Sequence, residues 1–419
     1  MNQMLIIGCV WPEPNSTAAG SRMMQLIHAF LGAGWQITFA CAAVKTPHMA
    51  DIEALGVNTA EIELNNTSFD VFVSALMPDV VIFDRFICEE QFGWRVEQYC
   101  PDALRVIDSE DLHCLREGRL QAYKKNRVLT DEDLFCDVAK REIAAILRAD
   151  LTLVISEFEI RLLQDKFNID STLLHYTPFM VDDALSRIDQ NNSPDFVNRE
   201  NFISIGNFRH APNWDSVLYL KQTIWPLIRK QLPQAELHVY GSYPTPKAMQ
   251  LHDPREGFHV LGWVEDSTRA MSQARVCLAP LRFGAGLKGK LLQAMQCGTP
   301  GITTSIGAEG MFGNNEKNFS VENDPESFAQ AAVAMYTDEQ QWHRCQATGW
   351  QVLTERFEPK GHETDLLNRL SEARKHLKAN RLRNFTGAML RHHSLKSTHY
   401  MARWLELKKL QDQIDKLNA

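Results

Sequence analysis

No apolar run in this 419-residue chain approaches the ~20 residues that a membrane span requires. The opening stretch, "MNQMLIIGCVWPEP", has no basic n-region, and its apolar part is too short for a signal peptide. It reads as a first β-strand. Cysteine is scarce and odd in number: nine, with no CxxC pair, which argues against both a disulfide framework and a zinc site. A reducing cytosol is the expected compartment. Motifs for binding RNA or DNA are missing, so nucleic acid is not an expected partner. Extreme charge is missing too. Lys and Arg number 44 against 52 Asp and Glu, a net of −8, and 44% of residues are hydrophobic, as in an ordinary globular protein.

What the chain has is alternation. Its length predicts two or three domains. In the first 160 residues "MLIIGCVW", "WQITFACA", "DVVIFD", "LRVIDS" and "LTLVISE" are short buried-strand patterns. Helical stretches lie between several of them, such as "SRMMQLIHAFLGAG", which stops at Gly32 or Gly34 as a helix should. A polar break follows at "RIDQNNSPDFVNREN". Then "FISIGNF", "AELHVYGS", "HVLGWV", "ARVCLAP" and "PGITTS" restart the pattern. Strands alternating with helices predict parallel βαβ units. The expectation is two doubly wound α/β domains split near residue 195, with ligands outside the carboxyl ends of the strands and the site in the cleft between domains.

One stretch concentrates glycine and positive charge: "APLRFGAGLKGKLLQAMQCGTP", residues 279–300. Gly284, Gly286 and Gly289 are interleaved with Arg282, Lys288 and Lys290 between a strand pattern and a helix pattern. An anion meeting the backbone at a helix start fits that composition. Three general templates fit less well. "GAGLKG" is a G-x-G-x-x-G, with Glu309 placed 20 residues after Gly289, but the next strand ends well before that acid. "GAGLKGKL" satisfies G-x-x-x-x-G-K, yet Leu291 stands where a Ser or Thr would hold Mg²⁺. A glycine-rich packing turn explains the glycines and leaves the lysines over.

The segment resembles the donor-binding region of the retaining, nucleotide-sugar-dependent glycosyltransferases of family 4. Members of one branch carry "PLRxGAGxKxK", then "EAM" and "CGTPVV"; here the elements read "APLRFGAGLKGK", "QAM" and "CGTPGI". The likeness continues through "IGAEGM", "GNFRHAPNWDSVLYLKQTIWPLI", "HVLGWVED", "PEPNSTAAGSR" and "VIDSEDLHCLRE", spanning about residues 4 to 355. It implies a GT-B fold: two Rossmann-like domains facing a central cleft, here over residues 1–190 and 200–355. A return helix over 356–378 and a basic helical tail over 379–419 would follow. The implied reaction moves a sugar, with retention, from a nucleotide-diphosphate sugar to a glycan or glycolipid acceptor. A GT-B sugar-nucleotide epimerase fits the motif order less well.

The resemblance also implies roles. Lys290 and Arg209 would bind the diphosphate and stabilise it as a leaving group, so no metal and no cofactor beyond the sugar nucleotide is expected. The amides of Gly286, Leu287 and Lys288, with Gly284 and Gly20 allowing close approach, would cradle phosphate or sugar. Backbone near Val264 would read the base, Glu309 would sit by the donor, and His113 would touch its sugar. Asp84, Arg85 and Asp108, at strand carboxyl ends, are acceptor-side candidates. One departure stands out. The family's ribose-binding Glu is Gln293 here, and the earlier acid is Ala285. Loss of that charge leaves open a catalytically silent module kept for binding or scaffolding.

The tail differs from the rest. Between Arg374 and Leu410 lie ten Lys or Arg and a single acid, Glu406, with His376, His392, His393 and His399 besides. Docking on the acidic body, self-association along Leu407, Leu410, Ile414 and Leu417, or contact of residues 380–419 with an anionic membrane surface all fit a basic amphipathic segment.

Overall fold

The computed structural model describes residues 2–181, 193–313, 315 and 319–417. The polar break expected near the domain boundary lies partly outside the described residues, as do the side chains of His393 and Leu417.

The first sheet contains β1 (Gln3–Gly8), β2 (Gln36–Cys41), β3 (Asn58–Glu61), β4 (Val80–Asp84), β5 (Leu104–Asp108), β6 (Leu151–Val154) and β7 (Leu174–Tyr176). Its order is β3-β2-β1-β4-β5-β6-β7, with the strands parallel. Runs such as Val80–Asp84 and Leu104–Asp108 are buried at every position because helices cover both faces. The second sheet contains β8 (Glu200–Ile205), β9 (Leu237–Tyr240), β10 (Phe258–Gly262), β11 (Ala274–Ala279), β12 (Gly301–Thr303) and β13 (Ser320–Val321). Its order is β10-β9-β8-β11-β12-β13, again parallel. Each sheet reverses winding at its first strand, and the connections leaving the carboxyl ends there form the facing walls of the cleft.

After helices Pro325–Thr337 and Glu339–Arg356 the chain returns to the first domain. Helix Pro359–Lys375 places Leu366, Leu370 and Ala373 in that domain's core, beside Ile6, Leu26 and Phe30. The terminal helix, Phe385–Leu417, packs against helices Arg85–Tyr99 and Asp137–Arg148 of the same domain. Basic residues of this helix and of the preceding helix Leu377–Arg383 find acidic partners in that domain. Arg381 pairs with Asp150 at 2.7 Å, Arg391 with Glu97 at 3.4 Å and Arg403 with Asp70 at 3.6 Å. His399 meets the edge of Trp94 with ring centroids 4.9 Å apart. Leu407, Leu410 and Ile414 stay exposed.

Candidate functional site

The glycine-rich stretch leaves β11 at Ala279 and becomes helix Gly289–Gln296. At Gly286 the backbone takes φ 66°, and a Cβ there would lie 2.8 Å from the Cβ of Asp111 on the other domain. Only glycine permits that approach. The Gly286 amide donates to Glu159 Oε1 at 2.8 Å, and the Lys288 amide to Met311 Sδ at 3.2 Å. Leu287 is buried against Gly310. Two of the three amides expected to cradle phosphate thus already have protein partners. The acceptor at Gly286 is the chain's own Glu159 carboxyl group.

The two lysines differ. Lys288 is buried and its ammonium donates to the carbonyls of Ala285 (3.0 Å) and Gly286 (2.5 Å). Lys290 makes no hydrogen bond or ion pair among the described residues. Desolvation pulls its pKa down to about 8, opposed by Cys277 and reinforced by Lys288, so it is still charged at neutral pH. Gln293 donates from Nε2 to Ser267 Oγ at 2.6 Å and leaves its carbonyl oxygen without a protein partner.

On the other wall, β4 and β5 end side by side at Asp84 and Asp108. Asp108 is fully buried and locked to Arg22, Nη2 to Oδ1 at 2.7 Å, while Arg22 Nη1 donates to the carbonyls of Thr177 (2.5 Å) and Pro178 (3.1 Å). Although it was expected on the acceptor side, it presents nothing to the cleft, because the pair is sealed beneath the sheet's end. Asp84 accepts from the Cys9 amide at 2.9 Å and lies 3.7 Å from Arg85, whose backbone sits at φ 66°. The Arg85 guanidinium reaches partly into the open, facing Asp84 and Glu110. His113 begins helix His113–Lys124, whose first amides are capped by Glu142: His113 N at 2.9 Å and Cys114 N at 2.9 Å. Burial drags the His113 pKa down to about 4 against the pull of Asp111 at 3.6 Å, so the ring is neutral at pH 7.

Several contacts cross the cleft. Arg119 forks onto Glu309 at 2.8 and 2.5 Å and also donates to the Gly284 carbonyl at 2.7 Å. Tyr243 donates to Glu13 in the first loop at 2.9 Å. Trp263 stacks on His48 with centroids 4.8 Å apart, and Val264 follows it, partly buried. Arg209 lies over the Tyr243 ring at 3.9 Å, in no ion pair among the described residues. The adjacent His210 lies in the combined field of Asp111, Arg116, Lys290 and Lys288, which brings the two domains' charged groups to one place. Gly20 packs against the backbone of Glu13, where a Cβ would sit 2.4 Å from the carbonyl, and its amide is spent on Thr17 Oγ1. Its lack of a side chain serves that turn. Arg119, Glu159, Glu13 and Tyr243 were not singled out from sequence. Each gains meaning only from a partner more than 100 residues away. Among the described residues, the side chains spaced to hold a metal ion lie outside this cleft, on and beside β9 and β10.

Residues 199–338 match the family described as glycosyl transferases group 1. No curated protein matches the chain. Among solved structures, S. aureus TarM, as a variant in complex with fondaparinux, α-GlcNAc-glycerol and UDP, superposes with a TM-score of 0.68 at 10% identity. It covers 88% of this chain and 100% of its own. Sucrose-phosphate synthase from Thermosynechococcus elongatus gives 0.64 at 16% identity, over 90% and 100%. Anabaena HepE, in complex with UDP and glucose, gives 0.61 at 11%, over 88% and 99%. At such identities the likeness establishes the fold. Residues 199–338 thus match the group 1 glycosyltransferase family, and the two facing parallel sheets give the chain the GT-B fold.

Proposed function

We propose that this chain moves a sugar, with retention at the anomeric carbon, from a nucleoside-diphosphate sugar to a glycan or glycolipid acceptor. One observation carries the reading: Lys290 is a partly buried cation without a partner among the described residues, at the head of helix Gly289–Gln296. A desolvated ammonium with nothing to pair invites an anion. Arg209, over the Tyr243 ring and in no ion pair among the described residues, supplies the second cation. Together they neutralise charge growing on the diphosphate as its bond to the anomeric carbon breaks, with the acceptor oxygen arriving on the same face. The acceptor's proton leaves with the departing phosphate oxygen.

The other groups fit around that step. Neutral His113 offers an uncharged hydrogen bond to the sugar. Gln293 turns its free carbonyl to the ribose hydroxyls while Ser267 holds its amide. Gly284, Gly286, Leu287 and Lys288 shape the loop, with phosphate contacts falling to side chains because Glu159 holds the Gly286 amide. Glu309, tied to Arg119, forms part of the donor wall, and Val264 lies beside the base. Arg85, steadied by Asp84, faces the acceptor. The TarM and HepE complexes contain UDP, so uridine nucleotides come first among donors. Gln293 is the feature that favours a module kept for binding alone.

The tail supports an acceptor presented at an anionic membrane surface. No helix among the described residues is long and apolar enough to cross a membrane. Yet Tyr400, Met401, Trp404, Leu407 and Ile414 are all exposed, on the side of helix Phe385–Leu417 away from buried Ala402, with Lys408 among them. Nine free thiols, seven of them buried, support a reducing compartment such as the cytoplasm.

Release of nucleoside diphosphate from a panel of nucleotide sugars, without acceptor, tests the enzyme reading. Turnover above the enzyme-free rate is expected. No binding and no release with any donor would leave the binding module.

A further inference from the structure

The outer edge of the second sheet holds a group of side chains that the transfer reaction does not use. Glu236 immediately precedes β9, His238 lies within it, and His259 lies on β10 in direct register with His238. Residues i and i+2 of a strand share a face, and a registered neighbour shares it too, so the three side chains converge. Leu237, Val239, Phe258 and Val260 fill the core from the opposite face. The convergence is close: Glu236 Oε2 lies 3.2 Å from His238 Nε2 and 3.6 Å from His259 Nε2, and the three atoms lie within 4.8 Å of one another.

We propose that Glu236, His238 and His259 form a divalent transition-metal site, with zinc the fitting ion. Zinc bonds of about 2.0–2.1 Å to His nitrogen and carboxylate oxygen set tetrahedral ligand–ligand edges of about 3.3 Å. The two measured edges fall around that value. Two imidazoles and one carboxylate also match zinc's preference for borderline N and O donors, and three protein ligands leave the fourth position to water.

A second observation points the same way. The Nε2 of His259 is buried and has no hydrogen-bond partner, an unmet need that a metal satisfies. His252 is spoken for, because its Nδ1 accepts from the Val260 amide at 3.2 Å, and it flanks the group without joining it. Glu236, 46% exposed, gives the ion a way in. The site lies towards the amino ends of the strands, away from the cleft. An ion there would staple edge strand β10 to β9.

The full chain, stripped of metal by chelator, is titrated with Zn²⁺ and, for its visible spectrum, with Co²⁺. One equivalent is expected to bind, with the intense Co²⁺ absorption of tetrahedral coordination and a rise in Tm with Zn²⁺. Glu236→Gln alters an exposed side chain and leaves the strands intact. It is expected to weaken binding at least tenfold while Tm in chelator stays unchanged. The double variant His238→Ala, His259→Ala is expected to lose the Co²⁺ spectrum, and His252→Ala to keep it. Zn²⁺ stoichiometry and Co²⁺ spectrum that survive both Glu236→Gln and the double variant would overturn the site, as would no binding by the wild-type chain. Nucleotide-sugar turnover plays no part in the readout.

Discussion

Asp108 and Glu159 are both buried acids beside the cleft, and their partners give them different work. Asp108 faces a full countercharge in Arg22, with side chains at 0% exposure on both sides. Removing one member of such a pair strands the other charge, which costs about 3–5 kcal/mol. Asp108→Asn is therefore expected to lower unfolding free energy by about that amount in denaturant titration, without a specific effect on acceptor KM. Glu159 has only amides: its Oε1 accepts from Leu112 at 3.1 Å and Gly286 at 2.8 Å, while its Oε2 is buried without a partner. Burial, aided by Asp111, pushes its pKa up from 4.5 to about 7. Between those values the folded chain keeps a proton that the unfolded chain releases, so stability falls as pH rises through that window. Glu159→Gln is expected to be near neutral at pH 5 and stabilising by about 1–3 kcal/mol at pH 8. Unfolding curves at the two pH values check it; an equal effect at both would contradict the raised pKa. Of these residues the sequence marked Asp108 alone, as a strand-end acid. Its partner Arg22 lies 86 positions away, so burial in an ion pair was not legible.

Strands were legible where they are central; of the edge strands among the described residues, β10 was legible as "HVLGWV" and β3, β7 and β13 were missed. "MLIIGCVW" and "ARVCLAP" announce β1 and β11 because helices on both faces demand unbroken apolar runs. The edge strands β3 ("NTAE"), β7 ("LHY") and β13 ("SV") carry too few apolar residues for a pattern to appear. The terminal helix shows the same limit. The tail's basicity is plain in the sequence, but the acidic partners Asp70, Glu97 and Asp150 of its arginines are scattered through the first domain. With those arginines paired, Lys408 and the exposed Tyr400, Met401, Trp404 and Leu407 are the groups that the proposed contact with a lipid surface would use. Co-sedimentation with vesicles is expected to require acidic lipid and to fall with added salt. Trp404→Ala with Leu407→Ala is expected to lower bound protein severalfold. Binding unchanged by this pair or by salt would remove the membrane reading and leave docking as the tail's role.

At the scale of the molecule, two sheets turn their carboxyl ends towards each other, and the contacts that close the gap are polar. Arg119 on Glu309, Tyr243 on Glu13 and Glu159 on the Gly286 amide join the walls. The two-domain layout and the donor loop were readable from alternation and from one glycine-rich stretch. These joining contacts were not, since each pairs residues from different halves of the chain. In the cleft, Lys290 and Arg209 are in no ion pair among the described residues, and the proposed reaction depends on them. Lys290→Ala isolates that dependence, because among the described residues the side chain has no hydrogen bond or ion pair to lose. Calorimetry with a nucleoside diphosphate and with its parent nucleoside, on wild type and variant, measures it. The expected result is a loss of tenfold or more for the diphosphate, about 1.4 kcal/mol, with the nucleoside nearly unchanged. Equal losses for both ligands, or none for either, would contradict the account.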